Sequence, residues 1–461
     1  MAETEDITSA IAGCLGVIRK PLKPTEISRI LLEGMNPQKK KSMQAKIRRI
    51  LKDESHRKKG LFKKSPSGRY DLSLRIRLRK RIIAQLKEQG FSFHPSQGLV
   101  KQEISDKETL RHIHYGARRD RFESLTRLVE GKEKQMIQNF ANGKDVDIEA
   151  FEPYFEVVQP ASPQSDLFRY ASLLWSVPVS DGFGRRTKFI VKDRHNDKIV
   201  GIFALGDPVF NLRCRDNWIG WSAEDRAERL YNVMDIFVLG AVPPYNSLLG
   251  GKLIALMATS NEVRGTIRKK YRKDSTLIQG KKKDPVLALL TTGSALGKSS
   301  IYDRVKYGDS LLYQRIGASE GWGHFQFNHV LFQDMKELVA LDDPIGSRSN
   351  RFGQGPNWKM RISRMTLERL KLPSNLLRHG VTREIYGIPL ASNFKEFLIG
   401  EESKLNQIDL PINELVRYFK ARWMTGRASR CPEYKSFDRR QIPSMIRAFE
   451  EGGSQAGKRS A

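Results

Sequence analysis

Between Gly201 and Lys252 the chain reads GIFALGDPVFNLRCRDNWIGWSAEDRAERLYNVMDIFVLGAVPPYNSLLGGK, apolar runs interrupted by glycines, prolines and polar groups that a plain core does not need. The first run, Ile199 to Leu205, is β-branched at its start and stops at Gly206-Asp207-Pro208, the pattern of a buried strand followed by a turn. The second, Val233 to Leu239, leads through Gly240-Ala241-Val242-Pro243-Pro244-Tyr245-Asn246 into Ser247 to Thr259. There Leu248, Leu249, Leu253, Ile254 and Leu256 have the spacing of a buried helix. Strand, glycine-containing turn and helix are the expected order, which constrains this part of the chain to a sheet covered by helices.

The first N–H groups of such a helix lack intrahelical partners and sit at the positive end of its dipole, so an anion can rest on them. Asn246, Ser247, Gly250, Gly251 and Lys252 are therefore the candidate cofactor-binding residues, with the two glycines permitting close approach. Tight packing of the helix on its sheet explains the same glycines equally well.

Composition points to a polyanionic partner. A net charge of +29 over 461 residues creates a field that collects nucleic acid by counterion release. No uninterrupted apolar run approaches the roughly 20 residues of a membrane helix. The start, MAETEDITSAIAG, has no basic segment leading into an apolar one, so a cytoplasmic protein is expected. Cys14, Cys214 and Cys431 are odd in number and far apart, which fits reduced thiols, and no Cys/His spacing suggests structural metal.

Residues 1–73 predict a helix-turn-helix unit with a hairpin wing. On its third helix Met43, Ile47, Ile50 and Leu51 make one stripe, leaving Arg48, Arg49 and Lys52 on the opposite side as a recognition face. The wing carries Lys63, Lys64 and Arg69 towards a phosphate backbone. The glycine-rich turn Asp181 to Arg186 adds two phosphate contacts, Arg185 and Arg186.

Three chemical motifs are weaker. Thr292-Gly293-Ser294-Ala295-Leu296-Gly297-Lys298-Ser299 has the placement of a phosphate-binding loop but a threonine at its first glycine. Asp207, Asp216, Glu224, Asp225 and Asp235 suggest a nuclease cluster without spacing that confirms it. Asp207 before a proline and Asp235 inside an apolar strand are the two carboxylates hardest to explain as surface, and they are the candidate catalytic acids. Trp218 and Trp221, beside Arg213, Arg215 and Asn217, suit either base stacking or core packing. His112 and His114, two apart, do not share a helix face and are read as structural, while Trp322 and His324 are placed in a strand.

Four segments together carry a family resemblance: LFRYASLLWSVPVSDGFGRR, IVGIFALGDPVFNLRCRDNWIGWS, NVMDIFVLGAVPPYNSLLGGKLIALMATSNEV and LTTGSALGKSSIYDRVKY. They resemble the DruA family of the bacterial Druantia anti-phage system, and the likeness extends from near Arg111 through GPNWKMRISR, LRHGVTREIYG and Phe394 to Phe397. It implies a defence role and partner proteins of that system, a helicase among them. PLKPTEISRILLEGM, a basic helix and GLFKKSPSGRYDL resemble the HARE-type winged helix, which implies DNA as ligand.

The central order of elements resembles the GNAT acyltransferase fold, in which one strand splays from its neighbour and the following turn holds the pyrophosphate of CoA. Of that family's glycine pattern only Gly250 is matched; SSIYDRVKYG imitates its late helix, whose tyrosine protonates a leaving thiolate, a role for Tyr302 or Tyr307. An acyl-CoA-like donor is what this resemblance implies. Mom-type DNA base modifiers share that fold.

The expected class is α+β, in five segments: a winged helix over 1–73, a basic helical connector over 74–160, a GNAT-like mixed sheet with helices over 161–337, a basic helical region over 338–451, and a flexible tail over 452–461. Two function classes stand open: DNA recognition or modification by the central domain, and a non-catalytic DNA-binding adaptor whose chemistry lies in partners.

Overall fold

Ile47, Ile50 and Leu51 recur at helical spacing, and burial of that one stripe organises the N-terminal body. Helices α1 (Ala2–Ile18), α2 (Pro24–Leu31) and α3 (Pro37–His56) enclose a core of Ile11, Leu15, Ile27, Leu32, Ile47 and Leu51. Each such side chain contributes roughly 1.5–3 kcal/mol by leaving water. An antiparallel hairpin of β1 (Phe62–Lys64) and β2 (Tyr70–Leu72) closes it, with Phe62 and Tyr70 inward and Leu22 bridging to Tyr70.

The structure, a computed structural model, describes residues 2–18, 21–56, 60, 62–88, 91–94, 98–101, 114–175, 177, 182, 184–275, 280–294, 297–319, 321, 323, 327, 329–343, 358–377 and 382–448. The expectations for His112, Asp181, Phe183, Ala295, Leu296, Trp322, His324 and the 452–461 tail lie outside these residues. Among the described residues no helix is long and apolar enough to cross a membrane.

The chain forms two units, each built from two stretches of sequence: Met1–Gln102 with Gly323–His379, and Glu103–Trp322 with Gly380–Ala461. In the first, α4 (Leu74–Glu88) does not connect domains. Its Leu78, Ile82 and Leu86 share a core with Leu331, Met335, Leu338, Ile362 and Leu367, from helices His329–Asp342 and Trp358–Arg369. Arg81 pairs with Asp334 across that contact.

The second unit is a mixed α+β body around a seven-stranded sheet. Its strands are β3 (Pro153–Val157), β4 (Arg186–Asp193), β5 (Lys198–Gly206), β6 (Val233–Ala241), β7 (Leu289–Ser294), β8 (Gln314–Ala318) and β9 (Glu384–Pro389), in the order β8-β9-β7-β6-β5-β4-β3. Residue 384 onward, expected from sequence to belong to a helical region, thus supplies an inner strand. Every neighbouring pair is antiparallel except β6 and β7, which run parallel.

That parallel pairing lasts three residues, Val233 to Asp235 against Leu289 to Thr291. Beyond it β7 continues to Ser294 against β9, while β6 continues to Ala241 against β5. The two strands part, and Phe237 is the extra residue where the β5–β6 register shifts. Met234 and Ile236 face the core under α5 (Gly250–Met257), and Val233 and Leu289 face Ile219, Trp221 and Phe397 on the other side.

Candidate functional site

Two consecutive threonines mark the place where β6 and β7 separate. Thr291 Oγ1 donates to Asp235 Oδ1 at 2.8 Å, and Thr292 Oγ1 donates to the Ile236 carbonyl at 2.9 Å. Successive residues of a strand point to opposite faces, so these bonds reach across the gap from both sides of the sheet. The Ile236 carbonyl, which the parting leaves without a β7 amide in the parallel ladder, is thereby satisfied.

The surroundings of Asp235 alter its chemistry. Burial pushes its carboxyl up to about 6, opposed by the Thr291 bond and by the charges of Arg215, Arg383 and Arg186. Arg383 reaches the site from the residue before β9, and burial pulls its guanidinium below the ordinary range while the Asp235 charge acts the other way. Arg383 acts on Asp235 through its charge, not through a direct ion pair.

Tyr302 comes to the same gap from the Thr292 face. It stacks on Tyr313 with ring centroids 5.1 Å apart and meets the edge of Tyr386 at 5.2 Å. Burial raises its hydroxyl pKa, a bond with Thr292 lowers it, and the Asp235 charge raises it further. A carboxyl near neutrality and a phenol that keeps its proton therefore stand on opposite faces of one opening. Tyr307, the other tyrosine considered, lies against Tyr418 and is not part of this group.

Asp207 belongs elsewhere. Its carboxylate accepts the Arg185 amide and the Arg185 Nε, each at 2.8 Å, fastening the start of β4 to the end of β5. Arg185 is 8 % exposed, donates also to the Tyr231 carbonyl, and lies 3.8 Å over the Tyr231 ring. That guanidinium is already committed within the protein. Arg186 lies over Phe237 at 3.5 Å, next to the Asp235 group.

The remaining carboxylates disperse for identifiable reasons. Asp216 holds Arg215 and Arg226, Asp225 caps its helix with Ser222, and Glu228 pairs with Lys283. Among the described residues no three His, Cys, Asp or Glu side chains gather as a metal site. Thr292, Gly293 and Ser294 are paired strand residues rather than a loop around a phosphate. Trp221 is buried and donates to the Leu398 carbonyl, and Trp218 packs on Phe394. His114 is buried.

The turn before α5 differs from the expected anion cradle. The helix starts at Gly250 rather than Ser247, because Leu249 adopts a left-handed conformation with φ 62°. The amides of Asn246, Ser247, Leu248, Leu249 and Gly250 donate to carbonyls within residues 242–246, and that of Lys252 donates to Leu249. A pyrophosphate asks for open amides, and this turn spends them on itself. Added methyl groups would land 2.6 Å from the Tyr245 carbonyl at Gly250 and 2.7 Å from Ile301 at Gly251. Both glycines are packing positions. Lys252 is buried over the Trp423 ring, at 4.5 Å. These residues do not fit the acyl-CoA-like donor.

In the N-terminal unit, Arg48, Arg49 and Lys52 are exposed on α3, and Lys63 and Lys64 are exposed on β1. Arg69 is half-buried and donates to the Pro21 carbonyl at 3.2 Å.

A family model described as "Druantia protein DruA" matches residues 105–400, which include β6, β7, Asp235, Thr291, Tyr302 and Arg383. The chain belongs to the DruA family. "Druantia protein DruA" of Escherichia coli (strain UMEA 4076-1) is 38% identical over 386 residues, covering 83% of this chain and 95% of the relative. Membership makes this a protein of the Druantia defence system. No solved structure matches the chain.

The sequence of this DruA-family chain does not by itself mark Arg383 or Thr291 as site residues, and it offers Arg215 only beside the tryptophans, not beside Asp235. Arg383 stands 148 positions after Asp235, and only the pairing of β9 with β7 brings it close. The signal present in the sequence is the Thr-Thr pair ending an apolar strand, where hydroxyls have no packing role.

Proposed function

We infer that this DruA-family protein acts in phage defence by holding DNA through α3 and the β1–β2 hairpin, read as a winged helix of HARE type, and by recognising or modifying that DNA at the Asp235 gap. The observation that carries the DNA reading is the exposure of Arg48, Arg49, Lys52, Lys63 and Lys64 on one small folded body of a chain with net charge +29.

The parting of β6 and β7 supports a GNAT-like reading of the sheet, since splayed strands belong to that fold. At neutral pH Asp235 accepts a proton from a group brought to its face, while Tyr302 holds one on the other face. Arg215, Arg383 and Arg186 favour an anionic ligand there. One observation favours the second reading, a DNA-binding adaptor whose chemistry lies with partners such as a helicase: the closed turn before α5 offers no seat for a CoA donor.

Titration of labelled duplex DNA at several salt concentrations tests the DNA reading. Arg48→Glu with Lys52→Glu weakens binding and flattens the slope of log K against log salt, by about 0.9 for each phosphate no longer neutralised. Titrations identical to those of the unaltered protein would rule out α3 as a DNA-binding face.

A further inference from the structure

A second cationic surface lies on the sheet-bearing unit, distinct from that of α3. Helix α6 (Asn261–Tyr271) buries Val263, Ile267 and Tyr271, and its last turn and the residues after it present exposed Arg268, Lys269, Lys270, Arg272 and Lys273. The chain returns as Lys281-Lys282-Lys283, with Ser275 and Lys282 bridged antiparallel. One or two cations at a helix C-terminus answer its dipole; this segment holds many more than that role requires.

The segment is fixed by some of its cations, which leaves the others outward. Lys270 Nζ donates to the Arg186 carbonyl and Thr187 Oγ1, both at 3.1 Å, and the Tyr271 hydroxyl meets Thr187 Oγ1 at 2.9 Å. Lys283 Nζ donates to the Glu228 carbonyl at 2.6 Å and pairs with its carboxylate at 3.1 Å. Arg268 pairs with Asp284 at 2.8 Å. Lys269, Arg272, Lys273 and Lys282 are exposed and make no side-chain hydrogen bond or ion pair with the described residues, and exposed Asp274 is the one acid in the run.

We propose that Lys269, Arg272, Lys273 and Lys282 form a second nucleic-acid grip, holding the phosphate backbone of a strand beside the Asp235 gap. Holding four like charges together is unfavourable without a polyanion to neutralise them. The anchor at Arg186 sets the place, because Arg186 covers Phe237 and its charge acts on Asp235. The ligand is a sugar-phosphate chain rather than an acidic protein, since regularly spaced phosphates match a succession of exposed cations.

The test uses the full chain and a labelled DNA oligonucleotide, single-stranded or duplex, in salt titrations of the unaltered protein, of Lys269→Glu/Arg272→Glu/Lys273→Glu, and of Arg48→Glu/Lys52→Glu. The α6 variant is expected to lower the salt slope by about 2–3 while keeping its thermal transition. The two variants' effects should add, which separates this grip from the α3 reading: weakened binding in the α3 variant alone overturns the grip and leaves α3 standing, and weakened binding in the α6 variant alone does the reverse. An α6 variant that binds DNA unchanged yet fails to protect cells from phage assigns the surface to an acidic protein and overturns the proposal, as does an unaltered protein that binds no DNA.

Discussion

Arg185, which is buried, and Asp207, which is open to solvent on one side, form a clasp, two-armed at the carboxylate, between the residue preceding β4 and the residue following β5. Asp207 is therefore spoken for, whatever chemistry the sheet performs. Removing it leaves an 8 % exposed guanidinium without its counter-charge, the costly way to break such a pair. Asp207→Ala should destabilise the protein by about 1–3 kcal/mol, less than for a fully buried pair because solvent reaches the carboxylate, and denaturant unfolding measures it. A variant as stable as the parent would release Asp207 for a role in the site.

Asp235 gives a different signature. Its carboxyl is raised from 3.8 to about 6, so the folded state holds its proton more tightly than the unfolded chain does. The stability contributed by that proton is present below the unfolded value and lost as pH rises through the folded one. Asp235→Asn does not titrate. The variant's stability relative to the parent, read by denaturant unfolding at each pH, should therefore rise between pH 4 and 6 and level off above, a gain of about 1–3 kcal/mol. A pH-independent difference would deny Asp235 its raised pKa.

At the turn before α5 the two glycines separate packing from ligand binding. Gly250→Ala drives a methyl group against the Tyr245 carbonyl and the Ala241 side chain, neither of which yields easily, and should cost about 1–3 kcal/mol. Gly251→Ala meets only the movable end of Ile301 and should cost less. Mass spectrometry of small molecules recovered with the protein completes the check. Bound CoA, or equal tolerance of both substitutions, would contradict the closed turn.

How much of this is legible in the sequence follows from the physics of each element. Ile199 to Leu205 and Val233 to Leu239 announce themselves as strands because they lie inside the sheet and are dominated by apolar residues. The α3 stripe is legible in the same way, at helical spacing. The left-handed Leu249 is not, since a leucine gives no local sign of that conformation and only the turn's bonds impose it. The second stretch of the first unit, 323–379, is basic like the sequence on either side of it, so composition does not reveal that it interrupts the sheet between β8 and β9. Asp235 stands out because a carboxylate in an apolar strand is anomalous, whereas Arg383 needs the fold.

The central claim is that Asp235, at the parting of β6 and β7, is the working group of this DruA-family protein. A plaque assay of cells carrying the Druantia system with Asp235→Asn measures it most directly, run beside DNA binding and thermal unfolding of the same variant. Protection should be lost while folding and DNA affinity persist. Full protection by the folded variant would contradict it.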